Sequence, residues 1–102
     1  MDEDGVRIAL DYDGTYTLDR QLWDGFIFAA QESCHEVLIV TMRDEGEDVG
    51  SNASGARPPC EVIYTRRQAK LPFMERAGLH VDVWIDDNPR WLMFDGGASD
   101  QP

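Results

Sequence analysis

Acidic residues come in close pairs at two places in this sequence. Asp11 and Asp13 stand two residues apart directly after a short apolar run, and Asp86 and Asp87 close a second apolar run. Carboxylates gathered beside apolar chain are costly unless a cation balances their charge. Oxygen donors with no adjacent His or Cys favour Mg²⁺, which keeps several waters and joins one or two carboxylates to a substrate phosphate. The two acidic pairs therefore predict a magnesium site.

Two other residues could act on a phosphate. Lys70 is the only lysine in the chain, and it follows a strand-like segment and precedes a helix-like one. A lysine is usually a solvated surface charge, but a compact ammonium in this place suits the joint neutralisation of a phosphate and a carboxylate. Thr41 closes another strand-like segment, where its hydroxyl could donate to a phosphate oxygen, although a Thr at a strand end needs no function.

Four apolar segments predict strands, with helical patterns between them. The predicted strands are Val6–Leu10, Glu36–Thr41, Cys60–Thr65 and Val81–Asp86. The predicted helices run from the Asp19 cap to about Ser33, from Leu71 to Ala77, and from Pro89, after an Asn88 cap, through Trp91, Leu92 and Phe94. This alternation predicts an α/β fold with a parallel sheet, whose reactive residues lie at the carboxyl ends of its strands.

The segment Ile8–Leu18 has an alternative interpretation as a β-hairpin. Asp13 and Gly14 lie between two strand-like runs, and Asp-Gly is the strongest short-range hairpin signal. The second acidic pair, Asp86 and Asp87, favours the metal site over the hairpin, because four carboxylates at one sheet edge need a cation.

Length and charge limit the classes of protein and partner. The 102 residues predict one domain over residues 1–102, with flexible ends at 1–5 and 95–102 and a flexible loop at 43–59. Twenty acidic residues against nine basic ones give a net charge of −11, which disfavours a long nucleic acid as partner. The lack of a long apolar run and the acidic start of the chain predict a cytoplasmic protein with no membrane partner. Buried, reduced thiols are expected at Cys34 and Cys60.

The motifs together resemble those of the haloacid dehalogenase-like (HAD) hydrolases. Asp11-Tyr12-Asp13-Gly14-Thr15 is similar to the first signature of that family, and residues 37–41 resemble the second. Lys70 resembles the third signature and Trp84-Ile85-Asp86-Asp87 the fourth. All four come in the family order, and the resemblance covers residues 6–92.

The resemblance implies a three-layer Rossmannoid sandwich with a sheet of about four strands in the order 4-1-2-3. It also implies a Mg²⁺-dependent phosphatase in which Asp11 is the nucleophile that becomes an aspartyl phosphate, and Asp13 is the general acid and base. The metal is expected on the Asp11 carboxylate, the Asp13 backbone carbonyl and Asp87, with Asp86 in support.

The transferring phosphoryl group is expected to be held by Lys70 and the Thr41 hydroxyl, with backbone N–H groups of the turn. The expected substrate contacts are Tyr12, Gly14, Thr15 and Arg43.

The spacing of the motifs leaves no room for a cap domain, since only about twenty residues separate Thr15 from Val37. The site should therefore be open, and it would take a bulky substrate or be covered by a second copy of the chain. The segment Ile85–Pro89 and the acidic loop also resemble the phosphatase domains of polynucleotide kinase 3′-phosphatases. That similarity implies a nucleotide or a nucleic-acid 3′ or 5′ phosphate, and the net charge favours a small phosphomonoester or mononucleotide.

Two other functions remain alternatives. A receiver-like phospho-acceptor domain gathers the same residue types, but there the lysine comes last in the chain, whereas here Lys70 precedes Asp86. A catalytically silent HAD-like binding protein would use the same surface without turnover. A receiver would retain one phosphoryl group, and a silent relative would release no phosphate.

Overall fold

The structure is a computed structural model that describes residues 5–44 and 58–96. The predicted flexible segments 1–5, 43–59 and 95–102 lie almost wholly outside these ranges, so their flexibility stays a prediction. Within the described ranges, no helix has the length and apolar character of a membrane-spanning segment.

Four strands form one parallel sheet. They are β1 (Arg7–Leu10), β2 (Glu36–Thr41), β3 (Glu61–Tyr64) and β4 (Val83–Ile85). β2 has the predicted bounds, and the other three are shorter than predicted. The order across the sheet is β3-β2-β1-β4, which reads β4-β1-β2-β3 from the opposite edge.

The hairpin interpretation of residues 8–18 is wrong. β1 pairs with β2 on one side and with β4 on the other, both in parallel, and Ile8 lies opposite Val37 and Val83. After Asp11 the chain turns into a short 3-10 helix at Tyr16–Leu18, so no strand returns along β1. Burial of β1 between β2 and β4 outweighs the preference of the Asp-Gly pair for a hairpin turn.

Among residues 5–44 and 58–96, three α-helices flank the sheet: α1 (Arg20–Glu32), α2 (Lys70–Arg76) and α3 (Arg90–Met93). The Asp19 carboxylate accepts a hydrogen bond from the Leu22 backbone N–H at 3.1 Å, which caps α1 as predicted. α2 starts one residue earlier than predicted, so Lys70 is its first residue.

The prediction for the last helix is wrong in its bounds. Pro89 occupies the position before the first helical residue, and Asn88 Oδ1 accepts a hydrogen bond from the Arg90 backbone N–H at 3.3 Å. Phe94 has an extended backbone and is 61% exposed, so it ends α3 and does not join its apolar side.

The core has one apolar cluster on each face of the sheet, because successive strand residues point to opposite faces. Ile8, Leu10, Val37 and Ile39 pack in one cluster with Ile27 and Ala30 of α1. Ala9, Leu38 and Val40 pack in the other with Met74 of α2. Both faces of β1 and β2 are thus covered, which explains why these strands are apolar without alternation.

Candidate functional site

The carboxyl ends of β1 and β4 meet at one place in the sheet. β2 and β3 lie on one side of β1, whereas β4, which comes later in the chain, lies on the other side. In open α/β sheets, ligands bind at such a switch point, outside the carboxyl ends of the strands. The Asp11 N–H donates to the Ile85 carbonyl at 2.9 Å, which ties the two strand ends together. Asp11, Asp86 and Asp87 all follow these ends, so the topology brings the predicted acidic residues together.

Lys70 lies at the centre of this group as a buried ammonium. Its Nζ donates to Asp11 Oδ1 at 2.7 Å and to Asp86 Oδ2 at 2.7 Å. Only 3% of the Lys70 side chain is exposed, so it is not a solvated surface charge. The ammonium joins an acid after β1 to an acid after β4 from the first turn of α2.

The turn before α2 holds Lys70 in place through contacts that the sequence did not indicate. Thr65 is fully buried, and its hydroxyl donates to the Gln68 carbonyl at 2.8 Å. The Asp95 carboxylate accepts from the Ala69 N–H at 2.7 Å. Asp95 falls in the predicted flexible end at 95–102, but its carboxylate fixes Ala69, the residue that precedes Lys70. No local pattern marks such a long-range partner.

Thr15 and Asp87 complete the acidic group. The Thr15 hydroxyl lies 3.2 Å from Asp11 Oδ2 and 3.5 Å from Asp87 Oδ1, so it stands between the two carboxylates. Asp11, Asp86 and Asp87 each offer one oxygen within 4.8 Å of the others. Three oxygen donors at this spacing suit a hard divalent cation such as Mg²⁺.

Gly14 makes room for the Asp87 carboxylate. Its φ is +85°, and a Cβ at this position would lie 2.7 Å from Asp87 Oδ2. A side chain here would be strained by the backbone and would also displace the acid. The Asp-Gly pair thus serves the acidic group and does not form a hairpin.

Burial and neighbouring acids shift the protonation of Asp11. Removal from water raises the pKa of Asp11 to about 7; Lys70 opposes the rise, whereas Asp87 and Asp86 add to it. Without a cation, the Asp11 carboxylate therefore takes up a proton near neutral pH. A divalent cation would favour the ionised carboxylate, which is the form that a nucleophile needs.

Both carboxylate oxygens of Asp86 accept a hydrogen bond from the protein. One of its oxygens accepts from Lys70 and the other from the Asn88 N–H at 2.9 Å. Such an acid is suited to orient Lys70, and the supporting role of Asp86 at the metal site stays a prediction.

The Asp13 side chain does not belong to the group formed by Asp11, Asp86 and Asp87. Its carboxylate forms a two-bond ion pair with Arg43: Nε to Oδ2 at 2.9 Å and Nη2 to Oδ1 at 2.8 Å. The predicted metal contact through the Asp13 backbone carbonyl stays a prediction. The Arg43 guanidinium also lies 5.2 Å from the centre of the Tyr12 ring.

Tyr12 and Thr41 are both buried near this ion pair. Tyr12 is 3% exposed and packs in the core. A substrate would therefore contact its backbone N–H and not its side chain. Thr41 is 2% exposed, and its hydroxyl accepts from the Arg43 N–H at 3.3 Å. The predicted phosphoryl contact of Thr41 stays a prediction.

A surface groove of about 380 Å³ lies at the opposite edge of the sheet, where Gly5, Arg7 and His80 contribute to its lining. The Arg7 guanidinium there is already bound to Glu36 at 2.8 Å and to the His80 carbonyl at 2.9 Å. The other reactive side chains of the lining are exposed, unlike Asp11 and Lys70; they are Cys34, Glu36, His80 and Asp82. The prediction that Cys34 is buried is therefore wrong.

The role of Gly14 can be tested against Gly78, which ends α2 with a φ of +79° and has no atom within 4 Å of a built Cβ. Gly14→Ala and Gly78→Ala should each lose about 1–2 kcal/mol of unfolding free energy from the left-handed backbone. Only Gly14→Ala should also weaken Mg²⁺ binding, because only there does the new methyl group displace a carboxylate. Denaturant unfolding and calorimetric Mg²⁺ titration measure the two effects. Equal Mg²⁺ affinities in the two variants would contradict the role assigned to Asp87.

No family model matches the chain, and searches of curated proteins and of solved structures found no match either. The functional assignment therefore rests on the residues and geometry of the site.

Proposed function

We propose that this protein is a Mg²⁺-dependent phosphomonoester hydrolase of the HAD-like type, with Asp11 as the covalent nucleophile. The observation that carries the proposal is the contact of Lys70 with both Asp11 and Asp86 at 2.7 Å, beside Asp87. Residues of three separate motifs, each following a different strand, thus converge in one group. A capless three-layer Rossmannoid sandwich belongs to the same proposal, and the apolar clusters on both sheet faces support it.

The reaction divides into two displacements at phosphorus. An Asp11 oxygen forms a bond to phosphorus while the bond to the leaving oxygen breaks, and Asp13 gives a proton to that oxygen. Water then forms the new bond to phosphorus as the bond to Asp11 breaks, and Asp13 takes the proton from the water. The products are an alcohol and inorganic phosphate, and both acids return to their starting state.

The charges of the site decide what the transfer requires. A phosphate approaching Asp11 also meets Asp87, so like charges repel it. Asp11 and Asp87 would hold Mg²⁺, which would supply positive charge to offset this repulsion. Lys70 uses two of its three N–H donors on Asp11 and Asp86, and the third remains for a phosphoryl oxygen.

The substrate proposed is a small phosphomonoester or a nucleotide. The net charge of −11 opposes the approach of a long polyanion more strongly than that of a small substrate, whose few charges could be offset at the site by Lys70, Arg43 and a bound Mg²⁺. A cytoplasmic location and a second copy of the chain as a cover for the open site are parts of the same proposal.

The strand order favours the hydrolase over a receiver-like domain. In the doubly wound order 2-1-3-4-5 typical of receivers, β1 lies between β2 and β3. Here β1 lies between β2 and β4, and β3 is at the edge of the sheet. The order β3-β2-β1-β4 instead matches the first part of the Rossmann order 3-2-1-4-5-6.

The proposal is tested by phosphate release from a panel of phosphomonoesters and nucleotides with added Mg²⁺. We expect many turnovers per protein molecule, loss of activity with a chelator, and recovery on addition of Mg²⁺. A single retained phosphoryl group would support a receiver, and no phosphate release with any ester would support a silent binding protein. Recovery with Zn²⁺ alone would contradict the all-oxygen metal site.

A further inference from the structure

The ion pair between Asp13 and Arg43 occupies both oxygens of the acid that the proposed reaction needs. Arg43 Nε binds Asp13 Oδ2 at 2.9 Å, and Arg43 Nη2 binds Asp13 Oδ1 at 2.8 Å. A carboxylate held at both oxygens cannot also contact a leaving group or a water molecule along those bonds. In this arrangement the Asp13 carboxylate is therefore oriented toward Arg43, and the ion pair must open before the carboxylate can turn toward a substrate bound at Asp11.

The same pair is placed where a substrate can open it. The Arg43 side chain is 34% exposed and that of Asp13 is 54% exposed, in contrast to the buried Lys70. Ion pairs with this exposure contribute little to stability, so a competing anion can replace one partner. Arg43 lies two residues past the carboxyl end of β2, and its guanidinium is 5.2 Å from the centre of the ring of Tyr12, the residue that follows Asp11. The ion pair is therefore at the same end of the sheet as Asp11.

We propose that Arg43 selects phosphomonoesters that carry a second oxyanion, because that oxyanion replaces Asp13 on the guanidinium. The released Asp13 carboxylate can then take a proton from solvent water and pass it to the leaving oxygen. The inference rests on the proposed phosphatase function and adds the class of substrate. A carboxylate or a phosphate fits the planar fork of an arginine through two parallel N–H bonds. An uncharged substrate group offers no such exchange, so it leaves the Asp13–Arg43 pair closed.

The experiment compares phenyl phosphate with phenyl phosphates that bear a carboxylate at the ortho, meta or para position. The matching carboxamides have nearly the same size without the charge. Turnover is measured as phosphate release with Mg²⁺ for the wild type, for Arg43→Gln, and for Arg76→Gln as a control. Arg76 lies on α2 and binds the Gln68 side chain at 2.7 Å, away from the ion pair.

We expect the wild type to prefer at least one carboxylate over its carboxamide. Arg43→Gln should lose this preference, with a fall in kcat/KM for the carboxylate on the order of tenfold. The same variant should hydrolyse plain phenyl phosphate about two- to fivefold faster, because Asp13 is no longer held. Arg76→Gln should keep the preference and both rates of the wild type.

The outcomes separate this inference from the proposed function. Hydrolysis of phenyl phosphate with an unchanged carboxylate preference in Arg43→Gln would overturn the inference and leave the phosphatase function standing. Absence of turnover with every ester would overturn both. A calorimetric comparison of 3-phosphonopropionate with propylphosphonate gives a second readout: the carboxylate should strengthen binding to the wild type and not to Arg43→Gln.

Discussion

Asp11→Asn is expected to lower phosphate release on the order of 10³-fold or more while the protein stays folded. The amide has nearly the shape of the carboxylate, and its oxygen can still accept from Lys70, which contacts Asp11 at 2.7 Å. It cannot form the acyl phosphate bond, so the first displacement is lost. Single-turnover and steady-state phosphate release measure the effect.

The fold of this variant should not be weakened, and the physical reason is the burial of Asp11. Burial raises the pKa of Asp11 to about 7 against the attraction of Lys70, so above that pH the structure holds a carboxylate that burial disfavours. An uncharged amide removes this cost. Denaturant unfolding should therefore show wild-type stability or more in the absence of metal. Glu75→Gln, an exposed acid on α2, serves as the matched control with wild-type turnover. Wild-type activity in Asp11→Asn would refute the assignment of the nucleophile.

β1 and β2 could be predicted because both of their faces are buried. β2 reads as an unbroken apolar segment, and its predicted and observed bounds agree. The first residue of β4 could not be predicted in this way. The Arg7 N–H donates to the Asp82 side chain at 2.9 Å, where a continuing ladder would use a backbone carbonyl. The strand therefore begins at Val83. The apolar pattern of the sequence does not show that a side-chain oxygen replaces a backbone carbonyl as the acceptor there.

The members of the site were predictable, but their partners were not. A parallel sheet requires residues after its strands to share one edge, which is why Asp11, Lys70 and Asp87 could be grouped from their positions. Which acid pairs with which base depends on side-chain directions and on turns between distant segments. Asp13 and Arg43 are 30 residues apart, and their ion pair follows from the tertiary fold alone. The contact of Asp95 with Ala69 is of the same kind.

Lys70→Met is expected to cost about 3–5 kcal/mol of unfolding free energy at pH 8 without metal. Methionine fills a similar volume but removes the ammonium from two acids, Asp11 and Asp86, whose side chains are 9% and 3% exposed. Uncompensated buried carboxylates are far more costly than an exposed broken ion pair. Urea unfolding monitored by circular dichroism measures the loss, and Arg76→Met, on the exposed side of α2, should change stability by less than about 0.5 kcal/mol.

The loss should depend on pH in a defined direction. The pKa of Asp11 in the folded protein is already raised to about 7 in the presence of Lys70, from an ordinary value of 3.8. Between these values the folded state binds more protons than the unfolded state, so stability falls as pH rises. Removal of Lys70 takes away the group that opposes this shift. The variant should therefore be less impaired at pH 5, where Asp11 carries a proton, than at pH 8.

A second substitution keeps the Lys70 prediction testable if the single variant does not fold. Lys70→Met combined with Asp11→Asn leaves one buried carboxylate, Asp86, which still accepts from the Asn88 N–H at 2.9 Å. This double variant should regain roughly half or more of the lost stability, because the costly feature is the unpaired charge and not the missing contact. A double variant as unstable as Lys70→Met, at both pH values, would show that Lys70 contributes by packing and would remove the electrostatic basis of the site.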